Sequence, residues 1–173
     1  MTSEQAVFLL KEIYLPQIEI EHAKTRRVIE AVPAAQVGWK PDAKSMGALE
    51  LAWHIVSAEC MFLNAVANGK FDSEGGCRES IKTPADVLRW DEENFPKAVE
   101  RLRQAKAADL MKDLDFHGKF TLPAVSYAAI GVNHSIHHRG QLSVYLRPMG
   151  SKVPGIYGPS ADEPIQVPAG GAA

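Results

Sequence analysis

Apolar residues recur at helical spacing in four stretches of the chain, and no stretch alternates with the two-residue period of a half-buried strand. The first stretch runs from about Ser3 to Ala31, where Val7, Leu10, Tyr14, Ile18, Thr25, Val28 and Val32 keep roughly one side. Pro16 lacks an amide hydrogen, so it predicts a kink or a restart. Breakers Gly38, Pro41 and Asp42 mark a loop. A second helix is expected from Met46 to Asn68, with Ser45 as N-cap and Gly69 just past its end. Thr83-Pro84 opens a third helix reaching about Lys106, disturbed at Pro96. Ala107 to Thr121 reads as a connector in which Leu110–Leu114 could form a turn of helix. Pro123 is expected to open the fourth helix, which stops near Arg147 at Pro148-Met-Gly150.

Those elements predict an all-α fold, a four-helix bundle followed by an irregular C-terminal tail. The domain is expected to span residues 1–165, with 166–173 a disordered tail. Val125, Ala129, Val132 and Ile136 give the fourth helix a second apolar side, which points to a homodimer.

Composition narrows the function without naming one. The 173 residues carry a net charge of −2, so no basic footprint suggests nucleic acid. No window approaches a transmembrane span, and no basic region followed by an apolar run marks a leader. The cytoplasm is the expected compartment. Two cysteines are too few for a disulfide framework; Cys60 reads as a small core residue and Cys77 as a loop thiol.

The candidate chemistry lies in the fourth helix. Val132-Asn-His-Ser-Ile-His-His-Arg-Gly140 holds three of the six histidines. His134 and His138 are separated by about 40° around the axis and about 6 Å along it, so their imidazoles stand side by side. His54 on the second helix shares a face with Leu51, Ala58, Met61 and Phe62. Together the three make a candidate three-nitrogen metal site with room for a further ligand, directed towards the bundle interior. A hydrogen-bonded polar core is the alternative for the same residues. His137 aligns less well and takes a supporting or surface role. Gln141 could bond a ligand imidazole or a bound substrate, and Tyr145 lies on the same stripe. Glu50 could orient a ligand, take a proton or ligate, or be an exposed carboxylate. Arg139 points away from the stripe, towards a salt bridge or an interface. His22 and His117 read as surface or connector residues.

Met46-Gly-Ala-Leu-Glu-Leu-Ala-Trp-His54-Ile and Asn133-His-Ser-Ile-His-His-Arg-Gly-Gln-Leu142 resemble the DinB-like (DinB/YfiT) superfamily. Gly38-Trp-Lys-Pro41 and Val153–Glu163 extend the likeness over nearly the whole chain. The resemblance implies up-down-down-up connection, a dimer, and a divalent metal held by His54, His134 and His138. It also implies metal-dependent chemistry on a small-molecule substrate, a thiol S-transferase or hydrolase type of reaction. The metal would be zinc, nickel or iron, with a low-molecular-weight thiol as a candidate cosubstrate and Glu50, Gln141 and Tyr145 supporting the site. A non-enzymatic, stress-related metal-binding or interaction bundle is the competing expectation.

Overall fold

A computed structural model describes residues 1–71 and 79–165. Its first helical stretch comprises α1 (Ser3–Phe8), a wide π-type segment (Leu9–Tyr14) and α2 (Leu15–Glu30). The expected disturbance at Pro16 takes the form of a restart, the π-type segment ending at Tyr14 and α2 opening at Leu15 with Pro16 in its first turn. The Leu15 amide reaches back five residues to the Leu10 carbonyl, and this wider turn brings the chain up to the proline as helix. A short 3₁₀ turn at Ala34–Gln36 leads to α3 (Ala48–Asn68), and α4 covers Pro84–Arg103. After α5 (Ala107–Leu110) come β1 (Asp113–Asp115), β2 (Thr121–Pro123) and α6 (Ser126–Leu146).

Several element boundaries differ from the sequence expectation, each for a local reason. Gly47, not Ser45, caps α3. The loop carbonyls of Trp39 and Val37 accept from the Ala48 and Leu49 amides, so a serine cap is not required. Helix α4 runs through Pro96 and ends at Arg103. The connector is not purely irregular, and the fold is therefore mainly helical rather than all-α. Strands β1 and β2 form an antiparallel hairpin, with Asp113 opposite Pro123 and Asp115 opposite Thr121. Its tip bends through His117 and Gly118, both at positive φ, as a tight hairpin turn requires. Pro123 thus ends a strand, and α6 opens three residues later.

Helix α3 packs against α6 and α4, and α2 packs against the same two. Their buried faces form two apolar clusters. One gathers Ile18, Phe62, Val66, Phe95, Leu102, Tyr127 and Val132. The other gathers Val28, Ile29, Leu51, Ile55, Val87, Leu142 and Leu146. Val125 and Val132 are buried in the first cluster, whereas Ala129 and Ile136 on the same side of α6 are half-buried, Ile136 packing on that cluster. Cys60 is buried in that cluster as well, whereas Cys77 and the expected disordered tail at 166–173 lie outside the described residues.

A buried polar layer lies between the clusters along every long helix. It comprises Glu21, His22 and Thr25 of α2, Glu59 of α3, Asp91 of α4, and Ser135 and Arg139 of α6. His22 is therefore no surface residue. Its Nδ1 lies 2.9 Å from Glu59 and its Nε2 3.2 Å from Asp91, while the ring stacks on Phe95. Two ionised carboxylates on two ring nitrogens favour the form in which both nitrogens donate, the imidazolium, against the burial that raises the Glu59 pKa. Burial pulls this pKa down, but the bonds to Asp91 and Glu59 outweigh it and carry His22 up to about 9. Arg26 also pairs with Asp91, at 2.7 Å.

Arg139 is only 1% exposed and completes the layer. Its guanidinium donates to the Glu21 carboxylate at 2.6 Å and to the Glu21 carbonyl at 2.9 Å. The C-terminal segment is tied down here, because the Tyr157 hydroxyl donates to the same carboxylate at 2.6 Å. Arg27 adds bonds to the Gly155 carbonyl and Glu163. Among the described residues no helix is long and apolar enough to cross a membrane.

Candidate metal centre

His54, His134 and His138 meet at the seam between α3 and α6, one ligand atom of each lying within 4.8 Å of the others. The ring centroids are 4.4 to 4.8 Å apart, and all three pairs meet edge to face. Helical geometry explains the meeting. His134 and His138 share one side of α6, and His54 faces them across the packed pair. Gly131, one turn before His134, sets the closeness. A Cβ there would lie 2.9 Å from Phe62 Cβ on α3, so only glycine admits this approach. The site is not in the bundle interior, contrary to the sequence expectation. All three rings are half-buried, since His54 continues a less-buried side of α3 with Ser57, Met61 and Asn64.

Electrostatics favours neutral imidazoles. Burial lowers the His54 pKa, with His138 adding to it and Glu50 opposing. His134 is pushed down to about 3 by burial and by the neighbouring rings of His138, His54 and His137. Burial also lowers His138, against the raising effect of its Gln141 bond. Three unprotonated imidazoles crowded together offer lone pairs, and among the described residues no carboxylate joins their group. The Nδ1 of His134 is buried and has no hydrogen-bond partner among the described residues. An all-nitrogen donor set with an orphaned buried nitrogen fits a transition metal of the zinc, nickel or iron kind, and does not suit magnesium or calcium.

The supporting candidates separate. Gln141 is exposed, and its Oε1 lies 2.7 Å from His138 Nδ1. That contact turns the imidazole so that its Nε2 is left as the lone-pair nitrogen. Glu50 is exposed and accepts from the Gly47 amide at 3.3 Å, which makes it a helix cap within electrostatic reach of His54. Tyr145 packs edge to face on Trp39 in the second apolar cluster, not among the histidine rings. His137 is exposed, its ring 4.8 Å from that of His138. His117 sits exposed at the hairpin tip.

The salt bridge read for Arg139 is present, to Glu21, but the rest of the polar layer was missed from sequence. A signal existed: Glu21, Glu59, Asp91 and Arg139 occupy helical positions among core residues, where a charge demands a partner.

The sequence model of the DinB family matches residues 10–167. The uncharacterized protein YjoA of Bacillus subtilis is 29% identical over 128 residues, covering 73% of this chain and 82% of its own length. YrdA of the same organism, also uncharacterized, is 23% identical over 91% of this chain and 93% of its own. The crystal structure of the DinB-like YjoA superposes with a TM-score of 0.65 at 23% identity, over 80% of this chain and 92% of that one. A DinB-like protein from Bacillus cereus ATCC 10987 reaches 0.71 at 24% identity, over 85% and 97%.

Proposed function

The chain belongs to the DinB family, and from that premise we propose that it is a metal-dependent enzyme whose metal is held by His54, His134 and His138. The observation that carries this reading is the convergence of three imidazoles kept neutral by their surroundings, one with a buried nitrogen that has no partner among the described residues. A divalent ion held there would act as a Lewis acid and make a coordinated thiol or water a better nucleophile at neutral pH. The protein's own contribution is positional. Gln141 orients His138, Gly131 sets the spacing between α3 and α6, and half-burial limits water while leaving a substrate face. The reaction class we favour is thiol S-transfer or hydrolysis on a small molecule.

An up-down-down-up four-helix arrangement belongs to the same proposal. It is supported by the order in which each helix meets the two clusters. Helices α2 and α6 pass from the first to the second, whereas α3 and α4 pass from the second to the first.

The test is elemental analysis of tag-free protein beside His54→Ala, followed by thiol and electrophile turnover. Near-stoichiometric divalent metal in the wild type, lost in the variant with its helical circular dichroism intact, is the expected result. Turnover persisting in the metal-free variant would refute metal-dependent catalysis. Full metal occupancy without turnover over a broad panel would favour the non-enzymatic alternative.

A further inference from the structure

A pocket of about 290 Å³ opens between α3 and α4, and the metal site does not account for it. Its volume is at the lower end of the range for small-molecule sites, about 300–1,000 Å³. Its α3 wall includes Ser57, Met61 and Asn64, which follow His54 along the same side of the helix. Ser57 donates to the His54 carbonyl at 3.4 Å, so the pocket begins about one helical turn from the metal ligand.

The lining has a definite chemistry. Arg101 and Lys70 both contribute, and among the described residues no carboxylate lines the pocket. Arg101 bonds Asn64 Oδ1 through Nε at 2.9 Å, which fixes the guanidinium and leaves its two terminal nitrogens directed elsewhere. Among the described residues Arg101 has no ion-pair partner. Asn94 donates to the Trp90 carbonyl at 2.7 Å, holding its amide carbonyl available on the α4 side. Met61 and the Trp90 side chain supply apolar surface. The combination is an oriented guanidinium with no acid paired to it among the described residues, asparagine amides, and an apolar wall.

We propose that this pocket is a second small-molecule site, which binds an amphipathic carboxylate. The carboxylate pairs with Arg101, an amide in the ligand meets the asparagine side chains, and a flat apolar body lies against Trp90 and Met61. Among the described lining residues a cationic ligand would find no counter-charge. Inorganic phosphate would satisfy Arg101 but leave the apolar wall wet. Because none of these residues is a metal ligand, the site operates whether or not metal is bound, and its failure would leave the metal reading untouched.

Hippurate, which joins a benzoyl group, an amide and a carboxylate, is a suitable probe. It would be titrated into isotope-labelled metal-free protein while the indole resonances are followed. Saturable binding with a Kd of about 1 mM or tighter, centred on the Trp90 indole, is expected. Arg101→Ala should weaken it by about tenfold or more, as loss of a charge-assisted pair does, and Arg101→Lys should restore part of the loss. His54→Ala should leave it unchanged. The uncharged amide of hippurate should bind far more weakly. An undisturbed Trp90 resonance, binding indifferent to Arg101→Ala, or phosphate competing as well as hippurate would each overturn the proposal.

Discussion

Gln141 shows how much one exposed residue can contribute to a metal site. Its contact with His138 selects the tautomer and restrains the ring, although it lies outside the group of three histidines. Gln141→Ala should therefore lower metal affinity about tenfold, the lower end for loss of an orienting partner. Thermal stability should be unchanged, because the residue is exposed. Competition titration against a chelator reads this directly, and equal affinities would mean that His138 needs no support. The histidines were legible in sequence because helical spacing alone brings residues 134 and 138 together. The depth at which they sit was not, because it depends on the crossing of α3 and α6. His22 was misread for a related reason. A histidine with no histidine neighbour carries no visible pattern, and its partners Glu59 and Asp91 come from helices 37 and 69 residues away.

At the scale of elements, the close approach of α3 and α6 rests on Gly131. Gly131→Val would drive a branched side chain into Phe62, which is already 97% buried. The expected cost is about 1–3 kcal/mol from overpacking. Metal affinity should fall as well, since His134 lies one turn along the displaced helix. Denaturant unfolding and a metal titration on one preparation test both effects, and wild-type values in both would show that the helices can part without consequence. The four long helical stretches were legible from periodicity, most clearly α3 and α4. The β1–β2 hairpin was not, because three-residue strands show too little alternation to separate from a loop. Nor was the N-terminus of α3 found correctly, since its first amides bond to loop carbonyls that no local pattern advertises.

For the molecule as a whole, the buried charged layer couples stability to pH. His22 has a folded-state pKa of about 9, above its ordinary 6.5, with Glu59 and Asp91 facing it and Arg26 facing Asp91. The folded protein thus holds this proton more tightly than the unfolded chain. Its contribution is fully present below pH 6.5 and is lost as pH rises through 9. Unfolding free energy should fall over that window by an amount on the order of 2 kcal/mol. Urea unfolding at pH 6, 7.5 and 9 checks this, and a level profile would mean the carboxylates are served by other groups.

The same layer also divides the molecule dynamically. Helices whose ends rest on separate apolar clusters can fray from either end while the charged middle stays closed. Backbone amides around Thr25, Glu59 and Ser135 should then exchange with deuterium only through global unfolding. Those near Leu146 and Leu102 should exchange through smaller openings. The histidine site is level with the slow zone, because His134 and His138 alternate along α6 with Ser135 and Arg139. Its geometry would therefore outlast the loosening of either end, giving this part of the surface the persistence of the protein's last structure to melt.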